Sequence, residues 1–263
     1  MLTVALASAV GLVVLFVAVW LLSLRLANVA IVDVVWGPSF ALVAWIAGAV
    51  GDAPGARPVL VAVGATVWGF RLGLHLLRRA WGQPEDRRYA AMRRKRGERF
   101  AVEALWRVFL LQGALVLVVS LPLQAVGAAP GHRGLGWLDG LAIALWAVGL
   151  AFEAIGDEQL RRFKADPANA GRVMDRGLWA WTRHPNYFGD LVVWCGFGAA
   201  ALAVGAWWAL TGTAIMGWLL VAGSGKPMLE RTIADRRPGY ADYVERTSGF
   251  VPLPPRRPRP TDS

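Results

Sequence analysis

The sequence predicts an all-α, polytopic membrane protein built as a seven-transmembrane-helix bundle. Of its 263 residues, 56% are hydrophobic and 14 are tryptophan, a composition too apolar for a soluble domain of this size. Several runs of about 20 residues carry few charges, and a helix of that length crosses a hydrocarbon core of about 30 Å. The single cysteine, Cys195, lies in an apolar run, so the sequence offers neither a disulfide framework nor a cysteine-based metal site.

The spans follow from the apolar runs taken in order. We place them at residues 2–24, 29–50, 58–77, 106–126, 137–155, 188–204 and 206–223. The first run is longer than a signal-peptide core and has no basic start, so we keep it as a span. We expect residues 1–255 to form one integral membrane domain. The proline- and arginine-rich residues 256–263 predict a disordered basic tail.

The basic residues set the predicted orientation. They concentrate in the connections after the first, third, fifth and seventh spans, whereas the other connections hold only Arg57 and Arg133. The positive-inside bias then places the amino terminus outside and the long loops and carboxyl terminus in the cytoplasm. The net charge of +10 is therefore mostly a topology signal, and without a recognition module it predicts no nucleic-acid partner. Three histidines at unrelated spacings predict no metal site.

A carboxylate, Asp33, lies inside the second span, about five residues or about 7 Å below the predicted boundary. Trp36, Gly37 and Phe40 share its face by helical spacing. At that depth a carboxylate must be paired, protonated or hydrated. Asp33 is therefore either half of a salt bridge to a neighbouring helix, or a proton donor or hydrogen-bonding group at the floor of a cavity.

The third span ends in a cationic stripe, since Arg71, His75 and Arg78 recur at helical spacing. Such a stripe either extends to the interface and binds anionic lipid, or forms an anion site for a phosphate-bearing cofactor. The next residues, EDRRY at 85–89, carry too many mixed charges for a membrane segment. We expect amphipathic or irregular cytoplasmic structure there.

The fifth span becomes polar after Phe152. Glu153, Asp157 and Lys164 fall on one helical face, so this helix leaves the membrane with one polar side. Pairing within the helix is one explanation and contributes only a few tenths of a kcal/mol per pair. Binding of a ribose and its phosphates is the other, with carboxylates accepting from hydroxyls and bases donating to phosphate oxygens.

The stretch GLWAWTRHPNYFGDLVVWCGFG at 177–198 organises the rest of the chain. It places Arg183, His184, Asn186, Tyr187 and Asp190 directly before an apolar run. Polar groups at the end of a spanning helix are costly unless they are paired or face a water-filled cavity, which makes them functional candidates. The alternative is a helix cap with interfacial anchors.

The carboxyl-terminal region excludes two common nucleotide-binding motifs. GSGK at 223–226 lacks the first glycine of a phosphate-binding loop, and Pro227 replaces its hydroxyl residue. No GxGxxG follows a predicted strand, so a Rossmann site is also excluded. Tyr240 and Tyr243 belong to a cytoplasmic segment that can fold back over the predicted cavity.

Several motifs together resemble the bacterial branch of the steroid 5α-reductase family, an uncharacterised membrane group. They are NxxIVDxxWG, EDRRYxxM, ExxxDxQLxxFKxDPxNxGxVxDxGLWxWTRHPNYFGD, SGxPxLE and RPGYxxYxxxTSxFxP. The RHPNYFGD block is also similar to the NYxGD segment of sterol C14 and Δ7 reductases, and more loosely to isoprenylcysteine carboxyl methyltransferases. The resemblance implies a seven-helix bundle in a bacterial inner membrane. It also implies that NADPH, bound at the cytoplasmic side, reduces a C=C bond conjugated to a ketone.

The resemblance also implies roles for individual residues. Asn186 and Asp190 match the residues at the nicotinamide end of the cofactor. The other implied cofactor-binding residues are Asp157, Lys164 and Arg172, which match the adenosine and phosphate positions, and Arg71, His75, Arg183 and His184.

Asp33 falls near the glutamate that binds the substrate ketone in the family. The steroid enzymes pair that glutamate with a tyrosine, whose nearest counterpart here is Trp68, an indole that does not donate as a phenol does. Tyr187 is a second candidate donor. We therefore expect hydride transfer from NADPH to a hydrophobic substrate that enters from the bilayer.

Two other functions remain open from the sequence. One is an S-adenosylmethionine-dependent methyltransferase acting on a lipid or a prenylated thiol, which requires fewer cations than the polyanion NADPH does. The other is a non-catalytic protein that binds membrane lipids.

Overall fold

The protein is all-helical in a computed structural model that describes residues 1–53, 55–131, 134–223 and 237–256. Within these ranges there is no β-strand, and the extended pairing is an isolated bridge between Thr182 and Ser248. The predicted all-α class is confirmed. Most of the tail predicted at 256–263, and the SGxPxLE motif at 224–230, lie outside the described residues.

Ten α-helices are labelled here in chain order. They are α1 (Leu2–Leu26), α2 (Ile31–Val50), α3 (Ala56–Ala80), α4 (Arg87–Val119), α5 (Leu121–Ala128), α6 (Trp137–Ala165), α7 (Leu178–Trp181), α8 (Pro185–Ala203), α9 (Trp207–Val221) and α10 (Tyr240–Arg246). Helix α4 contains a π-helical segment, Leu105–Leu110, and α9 begins with a 3₁₀ turn.

Five of these helices, α1, α2, α3, α4 and α6, are long and apolar enough to cross a membrane. The sixth predicted span corresponds to α8, whose first turns carry Asn186, Tyr187 and Asp190 and are therefore more polar. The seventh corresponds to α9, a shorter apolar helix. An integral membrane protein is thus supported, while the count of seven spans and the orientation of the termini stay predictions.

Residues 87–105, for which we expected amphipathic or irregular structure, are helical with one buried side and are interrupted at Gly97 (φ 57°), where a 3₁₀ turn, Gly97–Arg99, follows. Asp86 caps the amino terminus of α4, because its carboxylate accepts a hydrogen bond from the backbone N–H of Arg88. Tyr89 and Phe100 are buried beneath the charged surface. Two buried side chains and a cap therefore stabilise a helix whose composition is mostly basic.

The predicted span 106–126 is divided at Ser120 between α4 and α5. Pro122 has no backbone N–H, so the series of backbone hydrogen bonds along the helix is interrupted there. The buried side chain of Gln124 compensates by donating to the carbonyl oxygen of Leu117 at 2.7 Å and to the hydroxyl of Ser120 at 2.9 Å. The break is thus satisfied internally, as apolar surroundings require.

The chain divides into two compact units, and each is described by itself. The first consists of Met1–Gly140 and Phe197–Gly212, and the second begins with Leu141–Gly196 and continues from Thr213. This division does not test the prediction of a single domain over residues 1–255, since α6 and α8 run through both units.

In the first unit, α2 and α3 pack backbone against backbone. A Cβ atom added to Gly37 would lie 2.6 Å from the carbonyl oxygen of Gly69, and the reverse distance is 2.4 Å. Phe40 and Trp68 are fully buried beside this contact, with ring centroids 5.7 Å apart. The close approach fixes α2, and with it Asp33, against α3.

In the second unit, α6 and α8 approach equally closely. A Cβ atom added to Gly149 would lie 2.6 Å from the carbonyl oxygen of Gly189, and one added to Gly189 would lie 2.5 Å from the backbone nitrogen of Glu153. Glycine is required here because any side chain would separate the helices. This contact brings the polar end of α6 against the start of α8.

Candidate functional site

The first cluster surrounds the carboxylate of Asp33, in the first turn of α2. Its Oδ1 accepts a hydrogen bond from the phenol of Tyr89 at 2.9 Å, and its Oδ2 accepts one from Nη2 of Arg88 at 3.1 Å. The Asp33 side chain keeps 30% of its surface exposed. Of the states expected from the sequence, the structure shows the paired one, with a salt bridge to a neighbouring helix.

Tyr89 and Arg88 reach Asp33 because Asp86 begins α4. The Asp86 Oδ1 atom accepts from the backbone N–H of Arg88 at 2.9 Å and from its Nε at 3.0 Å. Burial raises the pKa of Asp86, but these hydrogen bonds outweigh burial and lower the pKa below its ordinary value. Asp86 is therefore ionised at neutral pH and holds both the helix end and the guanidinium.

Glu85 anchors the same helix end to the turn between α1 and α2. Its Oε1 accepts from the backbone N–H of Val29 at 2.8 Å and from Nη2 of Arg93 at 2.9 Å, and its Oε2 accepts from Nε of Arg93 at 3.0 Å. Burial raises the pKa of Glu85, but these hydrogen bonds outweigh burial and hold it below its ordinary value. This pair fixes the register between Asp33 and Tyr89.

Tyr89 is the partner of Asp33 that the sequence reasoning missed. The phenol that the family pairs with its acidic residue was sought on the third span, where Trp68 stands. Trp68 is fully buried against Phe40, and Asp33 receives its phenol from α4 instead. An N-cap aspartate three residues before a tyrosine was a usable signal, since N-cap spacing places the tyrosine in the first helical turn.

Trp36 carries an indole N–H on the same face of α2 as Asp33. It lies three residues after Asp33, and its ring packs edge-on against Phe40 at 4.9 Å between centroids. Its indole Nε1 is buried and has no hydrogen-bond partner among the residues that the structure describes. Buried N–H groups are rarely left unpaired, and the cost is about 1–3 kcal/mol.

The predicted stripe on α3 lies in this first unit as well. Arg71 and His75 are half-buried, one turn apart, and Arg78 is exposed in the last turn. The same helix turns its small residues, Gly69 and Gly73, toward α2. The sequence predicted a cofactor contact for Arg71 and His75, and this stays a prediction.

The second cluster lies in the other unit, where α6 meets α8. Nδ2 of Asn186 donates to Oδ1 of Asp157 at 3.1 Å, and the rings of His184 and Tyr187 stack with centroids 5.5 Å apart. Asp157 and His184 are buried, as is Asp190, which follows one turn after Asn186. Four residues predicted from the sequence are thus joined by direct contacts.

Glu153, one turn before Asp157 on α6, is also buried in this unit. It was recognised as part of the polar face but was not predicted as a site residue. Lys164 and Arg172 are exposed toward and beyond the other end of α6. The carbonyl of Arg172 accepts a hydrogen bond from Arg237, and the predicted cofactor roles of Lys164 and Arg172 stay predictions.

Arg183 contacts the carboxyl-terminal segment. Its Nη1 donates to the carbonyl oxygens of Val244 at 3.0 Å and Thr247 at 3.1 Å, and its backbone N–H donates to Ser248 at 2.9 Å. The phenol of Tyr243 donates to the carbonyl of Trp179 at 2.7 Å. The segment around α10 therefore folds back onto the residues before α8, and Arg183 helps to hold it there.

Among the described residues, no group of three histidine, cysteine, aspartate or glutamate side chains is arranged to hold a metal ion. The chemistry available is that of two clusters. The first offers a phenol and a guanidinium that can donate hydrogen bonds to an oxygen atom, and a carboxylate that orients both. The second offers an amide, carboxylates and an imidazole that can bind polar groups of a larger ligand.

Comparison with known proteins identifies relatives along most of the chain. The family described as "Protein of unknown function (DUF1295)" matches residues 19–247. An uncharacterized protein of Schizosaccharomyces pombe is 23% identical over 92% of this chain and 79% of its own length. No solved structure matches the chain.

Other similar proteins carry an enzyme's name. The mouse protein named 3-oxo-5-alpha-steroid 4-dehydrogenase 1 is 35% identical over 69 residues, and the rat protein of the same name is 35% identical over 69 residues. These alignments cover 26% of this chain and about a quarter of each relative, 25% and 24%. The chain therefore matches only part of these enzymes.

Proposed function

We propose that this protein is a membrane-embedded, NADPH-dependent reductase. The premise is that the chain belongs to the DUF1295 family, which is steroid 5α-reductase-like. The protein would transfer a hydride to the C=C bond of an enone-type, steroid-like or isoprenoid substrate. The methyltransferase alternative is not favoured, because the named relatives are oxidoreductases.

The observation that carries the proposal is the hydrogen bond between Tyr89 and Asp33. The Tyr89 phenol, oriented by the Asp33 carboxylate to which it donates at 2.9 Å, is a donor that can instead be directed at a substrate oxygen. Arg88 adds a positive charge at the same carboxylate. Together these groups suit an oxygen on which negative charge develops.

In the proposed reaction, hydride adds to the β-carbon of the enone, and the electron pair of the C=C bond moves toward the carbonyl oxygen. Tyr89 would turn its O–H from Asp33 to the enolate oxygen and stabilise it by donating a hydrogen bond, and Trp36 offers a further N–H donor. A proton from water then adds to the α-carbon as the enolate collapses to the ketone, so one hydride and one proton have been added across the double bond. The residues of this cluster would therefore act by polarising the substrate oxygen and stabilising the enolate.

The second unit supplies groups that fit NADPH, which provides the hydride when it is bound. Asn186 and Asp190 would hold the carboxamide end. Asp157 would accept from a ribose hydroxyl, and Lys164 would contact phosphate. Asp157 and Lys164 lie seven residues apart on α6, or about 10 Å along the helix, a separation that suits the sugar and phosphates of one nucleotide. Arg172 would add a second phosphate contact.

We further propose the topology inferred from charge. Helices α8 and α9 would complete seven spans, with the amino terminus outside, the carboxyl terminus in the cytoplasm and the cofactor bound on the cytoplasmic side of a bacterial inner membrane. The substrate would enter from the bilayer, since the outer surfaces of the spans are apolar.

The proposal is tested by following NADPH oxidation by the detergent-purified protein in the presence of lipid extract. We expect Asp33→Asn and Tyr89→Phe each to lower turnover about 100-fold or more, because each removes a proton donor or its partner. Asp52→Asn, an exposed carboxylate beyond the other end of α2, serves as the control and should retain activity. Equal turnover by Asp33→Asn and the wild type would refute the assigned chemistry.

A further inference from the structure

A group of cations on α4 has no acidic partner in the part of the chain that the structure describes. Residues 87–99 contain seven arginine or lysine residues and one acid, Glu98. Three of the seven are engaged by nearby carboxylates: Arg88, Arg93 and Arg96. The other four are exposed, and we call them the basic stripe: Arg87, Arg94, Lys95 and Arg99.

The basic stripe lies on the outward face of the helix. Arg94 and Lys95 follow Arg87 by seven and eight residues, a spacing that returns to the same side of an α-helix. Tyr89, two residues after Arg87 and therefore on the opposite side of the same helical segment, is buried, and Arg99 follows in the exposed 3₁₀ turn after Gly97. Burial of the opposite side of the helix therefore keeps the basic stripe on the exposed side.

The stripe also lies close to the predicted surface of the membrane. Helix α4 continues into an apolar stretch long enough to span a bilayer. Lys95 precedes Leu105, where the apolar part begins, by only ten residues. Trp81 and Trp106 precede and follow the stripe and are 75% and 50% exposed. Exposed tryptophans of membrane proteins concentrate at the headgroup layer.

We propose that the basic stripe binds the phosphate groups of anionic phospholipids at the membrane surface. Guanidinium groups match phosphate oxygens geometrically, and unpaired cations at the end of a span are attracted to anionic headgroups. The four side chains are exposed along a helix face rather than gathered in a pocket, which suits several headgroups in one layer better than one soluble anion.

The test measures lipid selectivity of the full-length protein in nanodiscs of phosphatidylcholine mixed with phosphatidylglycerol. Lipids retained after transfer to detergent are counted by native mass spectrometry. We expect the wild type to retain phosphatidylglycerol preferentially, and less so at high salt. The double variant Arg94→Gln/Lys95→Gln should lose this preference about ten-fold or more, because each cation near an anionic surface contributes a factor of about five.

The matched control is Arg161→Gln/Arg162→Gln, which removes two exposed cations from α6. It should keep the preference. The proposal is overturned if both double variants lose the preference equally, since net charge would then suffice. It is also overturned if the stripe variant keeps the preference, or if inorganic phosphate at equal concentration displaces the lipid. The salt dependence of the wild type provides a readout that needs no variant.

Discussion

Removal of the Glu85 carboxylate tests whether the first cluster depends on the anchor beneath it. The variant Glu85→Ala deletes three hydrogen bonds, one from the backbone of Val29 and two from Arg93. Val29 is only 3% exposed, so its N–H would be left buried and unpaired, at a cost of about 1–3 kcal/mol. The lost ion pair adds little, because the Arg93 side chain is 39% exposed. We therefore expect destabilisation of about 2 kcal/mol.

The assay combines thermal unfolding in detergent, hydrogen exchange at the Val29 amide, and NADPH-dependent turnover. Since Glu85 holds the start of α4, its loss should speed exchange at Val29 and lower turnover by loosening the contact between Tyr89 and Asp33. The control Glu98→Ala removes an exposed carboxylate from the next part of the same segment and should change neither quantity. Unchanged exchange and turnover in Glu85→Ala would refute the anchoring role.

Three further predictions concern packing, ion pairing and pH. Gly189→Ala places a Cβ atom against the α6 backbone and should destabilise the protein by about 1–3 kcal/mol, whereas Gly140→Ala, with nothing within 4 Å, should leave the unfolding temperature unchanged. Arg57 forms two hydrogen bonds with Asp139, at 2.6 and 2.9 Å. Both side chains are at most 10% exposed, so Arg57→Gln should cost about 3–5 kcal/mol in chemical unfolding. The folded-state pKa of Glu85 lies below its ordinary value of 4.5. The ionised Glu85 carboxylate therefore stabilises the folded protein fully above pH 4.5, and this stabilisation is lost as the pH falls through the lowered pKa. Unfolding temperatures should accordingly fall more steeply in acid for the wild type than for Glu85→Gln.

The sequence was sufficient for the helical class, the family and the polar groups at the start of α8, but the hydrogen bond from Asn186 to Asp157 was not predicted. A long apolar run crosses a bilayer as a helix, and the RHPNYFGD block places Asn186 at the start of one. Helices α1, α2 and α3 end within a few residues of their predicted bounds, whereas α4 begins 19 residues before its predicted span and α6 ends ten residues after its own. The extension of α6 was predicted from its continuing polar face, whereas that of α4, which carries no hydropathy signal, was left open between amphipathic and irregular structure.

The N-cap signal at Asp86 could place Tyr89 in a first helical turn, but it could not identify Tyr89 as the partner of Asp33. Tyr89 is 56 residues away in sequence, and its approach depends on Glu85 and Asp86, whose roles appear only when the turn before α2 is in place. Likewise, the segment around Tyr243 was expected to fold back, but its docking on Trp179 through a main-chain carbonyl has no side-chain pattern. Contacts to backbone groups are the ones that residue types predict least well.

The most direct test of the proposed function is calorimetric titration of the purified protein with NADPH and, separately, with S-adenosylmethionine. We predict that NADPH binds and that Asn186→Ala weakens its binding by more than about 1 kcal/mol, whereas Gln112→Ala, which removes an amide from α4, leaves binding unchanged. Binding of S-adenosylmethionine without binding of NADPH would contradict the reductase proposal and reassign Asn186 and Asp190 to a methyl-donor site.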